Sequence, residues 1–219
     1  MKTVAVVYTS MGNLVSTMKS QLSEALPDYR IVNIADDSLI NDVIAAGRIT
    51  PEVKARLFSY FSAASILKPE IIISACSSVG AIAEEYSERS EVPVLRIDHA
   101  MIVKALEAGD RIGVLASLGT TMEPTKDYIS RLAEEAGRKA ELTGMVAEGA
   151  YEANAKGDKE THDRLLLQTA EKMKGKVDVV LLAQGSMAKM EGPIHELLGI
   201  PVYSSPRLCI EEVVRILKG

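Results

Sequence analysis

The sequence is poor in the features that would commit it to metal, nucleic-acid or membrane chemistry. Only two cysteines occur in 219 residues, Cys76 and Cys209, 133 positions apart and outside any CxxC or zinc pattern. That spacing implies neither a disulfide framework nor a structural metal centre. The three histidines, His99, His162 and His195, never fall at ligand spacing, so a histidine metal site is excluded. Basic residues do not outnumber acidic ones: 25 stand against 30, for a net charge of −5. They are scattered, which leaves no patch for nucleic acid or an anionic membrane surface. Long apolar runs are missing. The first, "VAVVY", is too short for a signal peptide or a transmembrane helix, and a cytoplasmic protein is the expectation. Neither GxGxxG nor a P-loop occurs; "GVLASLGTT" comes nearest and lacks the lysine, so no phosphate cradle is signalled.

What remains is an ordinary globular composition, 47% hydrophobic and 25% charged without tryptophan, enough to bury a proper core. Short β-branched runs alternate with longer helix-patterned stretches, the signature of a parallel α/β architecture. Strands are expected over 3–8, 29–34, 71–74 and 94–97, then again over 111–116, 141–143, 179–182 and 202–203. Helices are expected over 13–26, 51–67, 80–87, 125–136, 159–174 and 208–217. The second half repeats the first at a constant offset of 108. Val4–Val7 falls on Ile112–Leu115, Ile71–Ile73 on Val179–Leu181, and Pro93 on Pro201. This reads as a duplicated βα unit. We expect two Rossmann-like parallel-sheet lobes, 1–98 and 99–207, related by a pseudo-twofold axis with the active site in the cleft between them. The final helix, 208–219, would pack back on the first lobe.

Ligands of parallel sheets gather at the carboxyl ends of strands, where helix N-termini point. Those ends carry Thr9 and Ser10, then Cys76, Ser77 and Ser78. In the second half they carry Ser117 with Thr120 and Thr121, then Gln184, Gly185 and Ser186. All are small or neutral, with no Arg or Lys, a set suited to a small carboxylate. A thiol placed there is expected to have a lowered pKa and to move a proton or attack carbon. The plain alternative is a buried cysteine acting as apolar filler, which is how Cys209 in "PRLCIEEVV" reads.

The strand ending in "ACSS", the segment "RIGVLASLGTT" and the late "VVLLAQGSMA" with "IPVYSSP" resemble the aspartate/glutamate/hydantoin racemase superfamily, over nearly the whole chain. The resemblance implies proton transfer at a small carboxylic acid without pyridoxal phosphate, metal or other cofactor, in a homo-oligomer. It implies one cysteine from each lobe, and Cys76-Ser77-Ser78 matches the first motif. The second cysteine belongs where this chain has Gln184, the position to which the 108-residue offset independently sends Cys76. An amide cannot exchange protons near neutral pH.

The leading expectation is thus a cofactor-independent isomerase or racemase with Cys76 as acid/base. Thr9, Ser10, Ser77, Ser78, Thr120, Thr121, Gln184, Gly185 and Ser186 would hold the substrate. The second proton carrier is left among His99, Tyr8 and a water held by Gln184. His195, in a helix expected after the Gln184 loop ("EGPIHELLG"), and Lys189 and Glu191 near that loop stand as further candidates; His162 is expected on the surface. A single-cysteine decarboxylase similar to arylmalonate decarboxylase is the second reading, and a non-catalytic small-acid binding protein the third. If the substrate has a second carboxylate, Arg96 or Lys189 would have to recognise it.

Overall fold

The computed structural model describes residues 1–219. The chain divides into two compact units, Met1–His99 with Pro206–Gly219, and Ala100–Ser205. Each is an α/β lobe built on a four-stranded, all-parallel sheet.

In the first lobe the strands are β1 (Lys2–Tyr8), β2 (Tyr29–Ala35), β3 (Ile71–Ser74) and β4 (Val94–Arg96), in the order β2-β1-β3-β4. The helices are α1 (Asn13–Ala25), α2 (Leu39–Ala46), α3 (Pro51–Ile66) and α4 (Gly80–Ser87), with α10 (Ser205–Lys218) returning from the chain's end. β1 and β3 are central and buried on both faces, which is why they read as unbroken apolar runs rather than alternating ones. The side chains of β3 divide between two cores. Ile71 and Ile73 pack with Met18 and Leu22 of α1 and with Cys209, Ile210 and Val213 of α10. Ile72 packs with Leu57 and Phe61 of α3 and Ile82 of α4. Each such side chain contributes roughly 1.5–3 kcal/mol of burial. Helix α3 starts cleanly because Thr50 accepts the Val53 N–H at 3.3 Å and Pro51 occupies its first turn, where a missing N–H costs nothing.

The second lobe repeats the pattern with β5 (Arg111–Ala116), β6 (Glu141–Val146), β7 (Val179–Leu182) and β8 (Val202–Ser204), in the order β6-β5-β7-β8. Its helices are α5 (His99–Ala108), α6 (Met122–Glu135), α7 (Ala150–Ala155), α8 (Lys159–Glu171) and α9 (Glu191–Leu198). The register repeats as well as the order. The β1–β3 pair Val4↔Ile71 becomes Ile112↔Val179, and the β3–β4 pair Ile72↔Val94 becomes Val180↔Val202, every number raised by 108. A one-residue slip would exchange the faces of a whole strand, so this agreement carries the duplication further than strand spacing does.

Helices α2, α5 and α7 were not expected. One expectation is corrected: His162 is buried, at 1% exposure. With Leu166, Thr169 and Ala170 it forms the inward stripe of α8, and the surrounding charges concealed that periodicity. Its ring bonds Asp163, which also pairs with Lys189 at 2.8 Å.

Candidate active site

In the first lobe the chain leaves β3 through Ala75 and reaches Cys76 in extended conformation, immediately before a 3-10 turn at Ser77–Val79 that runs into α4. This geometry points the amides of Ser78 and Val79 back at the sulfur, joined by the hydroxyls of Thr9 and Ser78. Cys76 is half-buried, whereas Ser77 (7%), Ser78 (4%) and Thr9 (3%) are buried and Ser10 is exposed. The expected lowering of the thiol pKa is corrected here. Desolvation is the largest influence and pushes the thiol up, more than the four hydrogen-bond donors pull it down. The turn is a single loop of 3-10 helix, too short for a dipole that would overcome burial.

Cys209 is fully buried in the α1–α10 core, and burial pushes its thiol far up. Tyr8, at 1% exposure, points into the same core with an unpartnered hydroxyl and a pKa raised by desolvation. Neither group meets solvent. His99 opens α5, and its Nδ1 lies 2.9 Å from Glu212 Oε1 on α10. Cys76 packs against the core on the α3–α4 side of the sheet, while α10 covers the opposite face. The structure thus sets the two sequence-derived catalytic candidates on different faces of the first sheet.

Sequence reasoning missed a cation. Helix α3 brings Arg56 to the carboxyl end of β2, where it pairs with Asp36 and Asp42 and bonds Ser38. Burial alone would raise the Asp36 pKa, but hydrogen bonds from Tyr60, Ser38 and Arg56 hold it well below the usual carboxylate range. Nothing at the strand end itself announces this group, since Arg56 arrives from a helix 20 residues on. The two cations the sequence offered for a second carboxylate are already engaged. Arg96 is bonded to Asp98 and Glu84, and Lys189 to Asp163.

In the second lobe Gln184 stands where Cys76 stands in the first: extended, separated by the single residue Ala183 from the end of the third strand in chain order, β7, and before a 3-10 turn, Gly185–Met190. Its amide is spent inside the lobe. Oε1 accepts Ser117 N at 2.9 Å and Ser117 Oγ at 3.4 Å; Nε2 donates to Thr121 Oγ1 at 3.0 Å and to the Leu118 carbonyl at 3.4 Å. Two acceptor sites and two donors are all a carboxamide has. Thr120, next to this network, is half-buried and its hydroxyl has no partner. Gly185 is half-buried and Ser186 exposed. Beyond the loop, Glu191 Oε1 accepts the Ser204 N–H at 2.5 Å, and the exposed His195 bonds the Ile200 carbonyl at 2.8 Å.

A family profile described as Asp/Glu/hydantoin racemase matches residues 10–213. The chain belongs to that family. Membership supports an enzyme of the isomerase class, a racemase in type. Solved structures agree on the fold. A glutamate racemase from Bacillus anthracis is 19% identical with a TM-score of 0.74, over 99% of this chain and 82% of that one. An allantoin racemase from Klebsiella pneumoniae is 14% identical, TM-score 0.64, over 100% and 88%. An aspartate racemase homologue from Pyrococcus horikoshii is 16% identical, TM-score 0.66, over the whole of both chains. No curated protein sequence matches the chain. No helix is long and apolar enough to cross a membrane.

Proposed function

We propose that the protein is a cofactor-independent isomerase or racemase of a small carboxylic acid, with Cys76 as its proton-transferring group. One observation carries this reading: Cys76 is the cysteine that meets solvent at a strand's carboxyl end, with amide and hydroxyl donors around its sulfur. Cys209 is sealed in the core. A thiolate held by N–H and O–H donors is a base fixed in place. Its raised pKa makes it scarcer at neutral pH but stronger once formed, as abstraction of a weakly acidic α-proton requires. Around the thiol the neutral groups Thr9, Ser77 and Ser78 would donate to the substrate's carboxylate and to the enolate-like charge that follows proton loss.

The Gln184 amide, closed on Ser117, Leu118 and Thr121, supports a second reading. With one thiol the chain has one acid/base for one face of a substrate carbon. A single acid is sufficient to protonate the carbanion left by loss of CO2, so a single-cysteine decarboxylase is the alternative.

Both readings are tested on the purified protein with glutamate, aspartate, allantoin, substituted hydantoins and arylmalonates in D2O. Deuterium entry at the α-carbon, lost in Cys76→Ala, supports proton transfer by the thiol; optical rotation then separates exchange with inversion from exchange with retention. CO2 release selects the decarboxylase. Exchange that persists in Cys76→Ala sinks the assignment of Cys76.

A further inference from the structure

Arg96 is 4% exposed, and its guanidinium bonds two acids. Nε and Nη2 form a fork on Asp98 at 2.9 and 2.8 Å, and Nη1 meets Glu84 Oε2 at 2.8 Å. Asp98 is wholly buried. Buried networks of this kind seldom add net stability, because desolvation cancels most of the attraction. What this one does is geometrical.

Arg96 ends β4, Asp98 follows it, and Glu84 lies one turn into α4. The guanidinium therefore ties α4 to the last strand of the sheet. It also sits directly against the first residue of that helix. A Cβ on Gly80 would fall 2.2 Å from Arg96 Cζ and 2.4 Å from Nε, closer than any side chain tolerates, so glycine is what allows the guanidinium to lie there. Gly80 immediately follows Val79, whose amide, with that of Ser78, faces the Cys76 sulfur. Between the thiol and the clamp there is only the 3-10 turn. The second lobe braces its corresponding helix differently. Ser204 takes the place of Arg96 and gives its N–H to Glu191, beside a loop that carries Gln184 instead of a thiol.

We propose that Arg96 is a positioning residue for Cys76: forked onto Asp98 and Glu84 and pressed on Gly80, it fixes the start of α4 and with it the two amides that face the sulfur. It acts by placement, through Gly80 and the 3-10 turn. The importance of this for turnover rests on Cys76 being the reacting group; the positioning itself is read on the sulfur.

The test measures the rate of Cys76 alkylation by iodoacetamide against pH, located by mass spectrometry, on the full chain and on Gly80→Ala and Arg96→Lys. Gly80→Ala forces the helix start off the guanidinium without removing a charge. Arg96→Lys keeps a charge but loses the fork. With far-UV dichroism unchanged, each variant should move the alkylation profile to higher pH by about one unit, the equivalent of one lost charge-assisted hydrogen bond. A lower melting temperature with the profile unmoved means that the clamp is merely structural and overturns the proposal. Should Gly80→Ala fail to fold, Arg96→Lys decides alone. Turnover that survives in Cys76→Ala would end the catalytic reading of the thiol and leave the alkylation result standing.

Discussion

Gln184 Oε1 accepts the backbone N–H of Ser117 at 2.9 Å and its hydroxyl at 3.4 Å, and 108 positions earlier the Thr9 hydroxyl bonds the Cys76 sulfur. In both lobes the residue just past the first central strand grips the residue just past the second. The grip ends on a titratable thiol in one lobe and on a saturated carboxamide in the other. The duplication has kept a fastening between two loops while the chemistry at its end diverged.

If the amide is that fastening, Gln184→Cys should cost stability. A thiol cannot reach Ser117 and Thr121 together, so a backbone N–H and a hydroxyl lose their partner. The expected penalty is about 1–3 kcal/mol, which for a chain of this length lowers the melting temperature by about 2–4 °C per kcal/mol. An unchanged melting temperature would show that Gln184 fastens nothing.

Two adjacent threonines should behave oppositely. The Thr121 hydroxyl takes the Gln184 N–H, so Thr121→Val strands a donor and should destabilise by about 1–3 kcal/mol. The Thr120 hydroxyl has no partner within the chain, so Thr120→Val should melt at the parent temperature or above it. If that hydroxyl holds a ligand's carboxylate, the same substitution weakens ligand binding by about 1–3 kcal/mol. Thermal melts and titration with a bound acid separate the two effects. A Thr120→Val variant that melts early and binds normally contradicts both halves of the argument.

The parts of this fold that could be read from sequence are those where one physical term dominates. "IIISACSSVG" declares a central strand and the loop after it, because a strand buried on both faces has no polar positions to confuse the pattern. The 108-residue offset then gives Gln184 as the counterpart of Cys76 in the repeat, and the ladder registers agree with it. What escaped depends on balance or on distant partners. The direction of the Cys76 shift is a contest between desolvation and hydrogen bonding that spacing cannot weigh. Arg56 and the Arg96–Gly80 contact bring a side chain to a residue of a separate element. His162 was hidden because neighbouring charges outweigh a four-residue stripe to the eye.

Cys76 should react with iodoacetamide slowly at neutral pH and progressively faster through the alkaline range, since burial pushes its thiol above the ordinary value. Cys209, with no exposure, should stay unmodified until the protein unfolds. Peptide mapping after timed alkylation reads both. Fast modification of Cys76 at pH 6 would show an activated thiolate instead, and Cys209 labelling in the native protein would show that the α1–α10 core opens.

The His99–Glu212 pair makes a pH prediction whose sign can be worked out. The hydrogen bond that His99 donates to Glu212 is the largest influence on the ring and raises its pKa; desolvation opposes it, and Asp98 assists while Arg96 opposes. Arg215 Nη2 lies 3.8 Å from the same carboxylate oxygen of Glu212, a more exposed competitor. A histidine whose folded pKa exceeds its unfolded value of about 6.5 holds its proton more tightly in the native state. Its stabilisation is therefore fully present below about pH 6.5 and is lost as pH rises through the folded pKa. Since His99 and α10 both belong to the first compact unit, the loss should appear as earlier release of the C-terminal helix from that lobe. The measurement is the melting temperature of the parent minus that of His99→Gln, from about pH 5.5 to 8.5. That difference should be largest at the acid end and shrink across the alkaline half. A difference that stays flat, or grows with pH, would mean that the proton on His99 plays no part in holding α10.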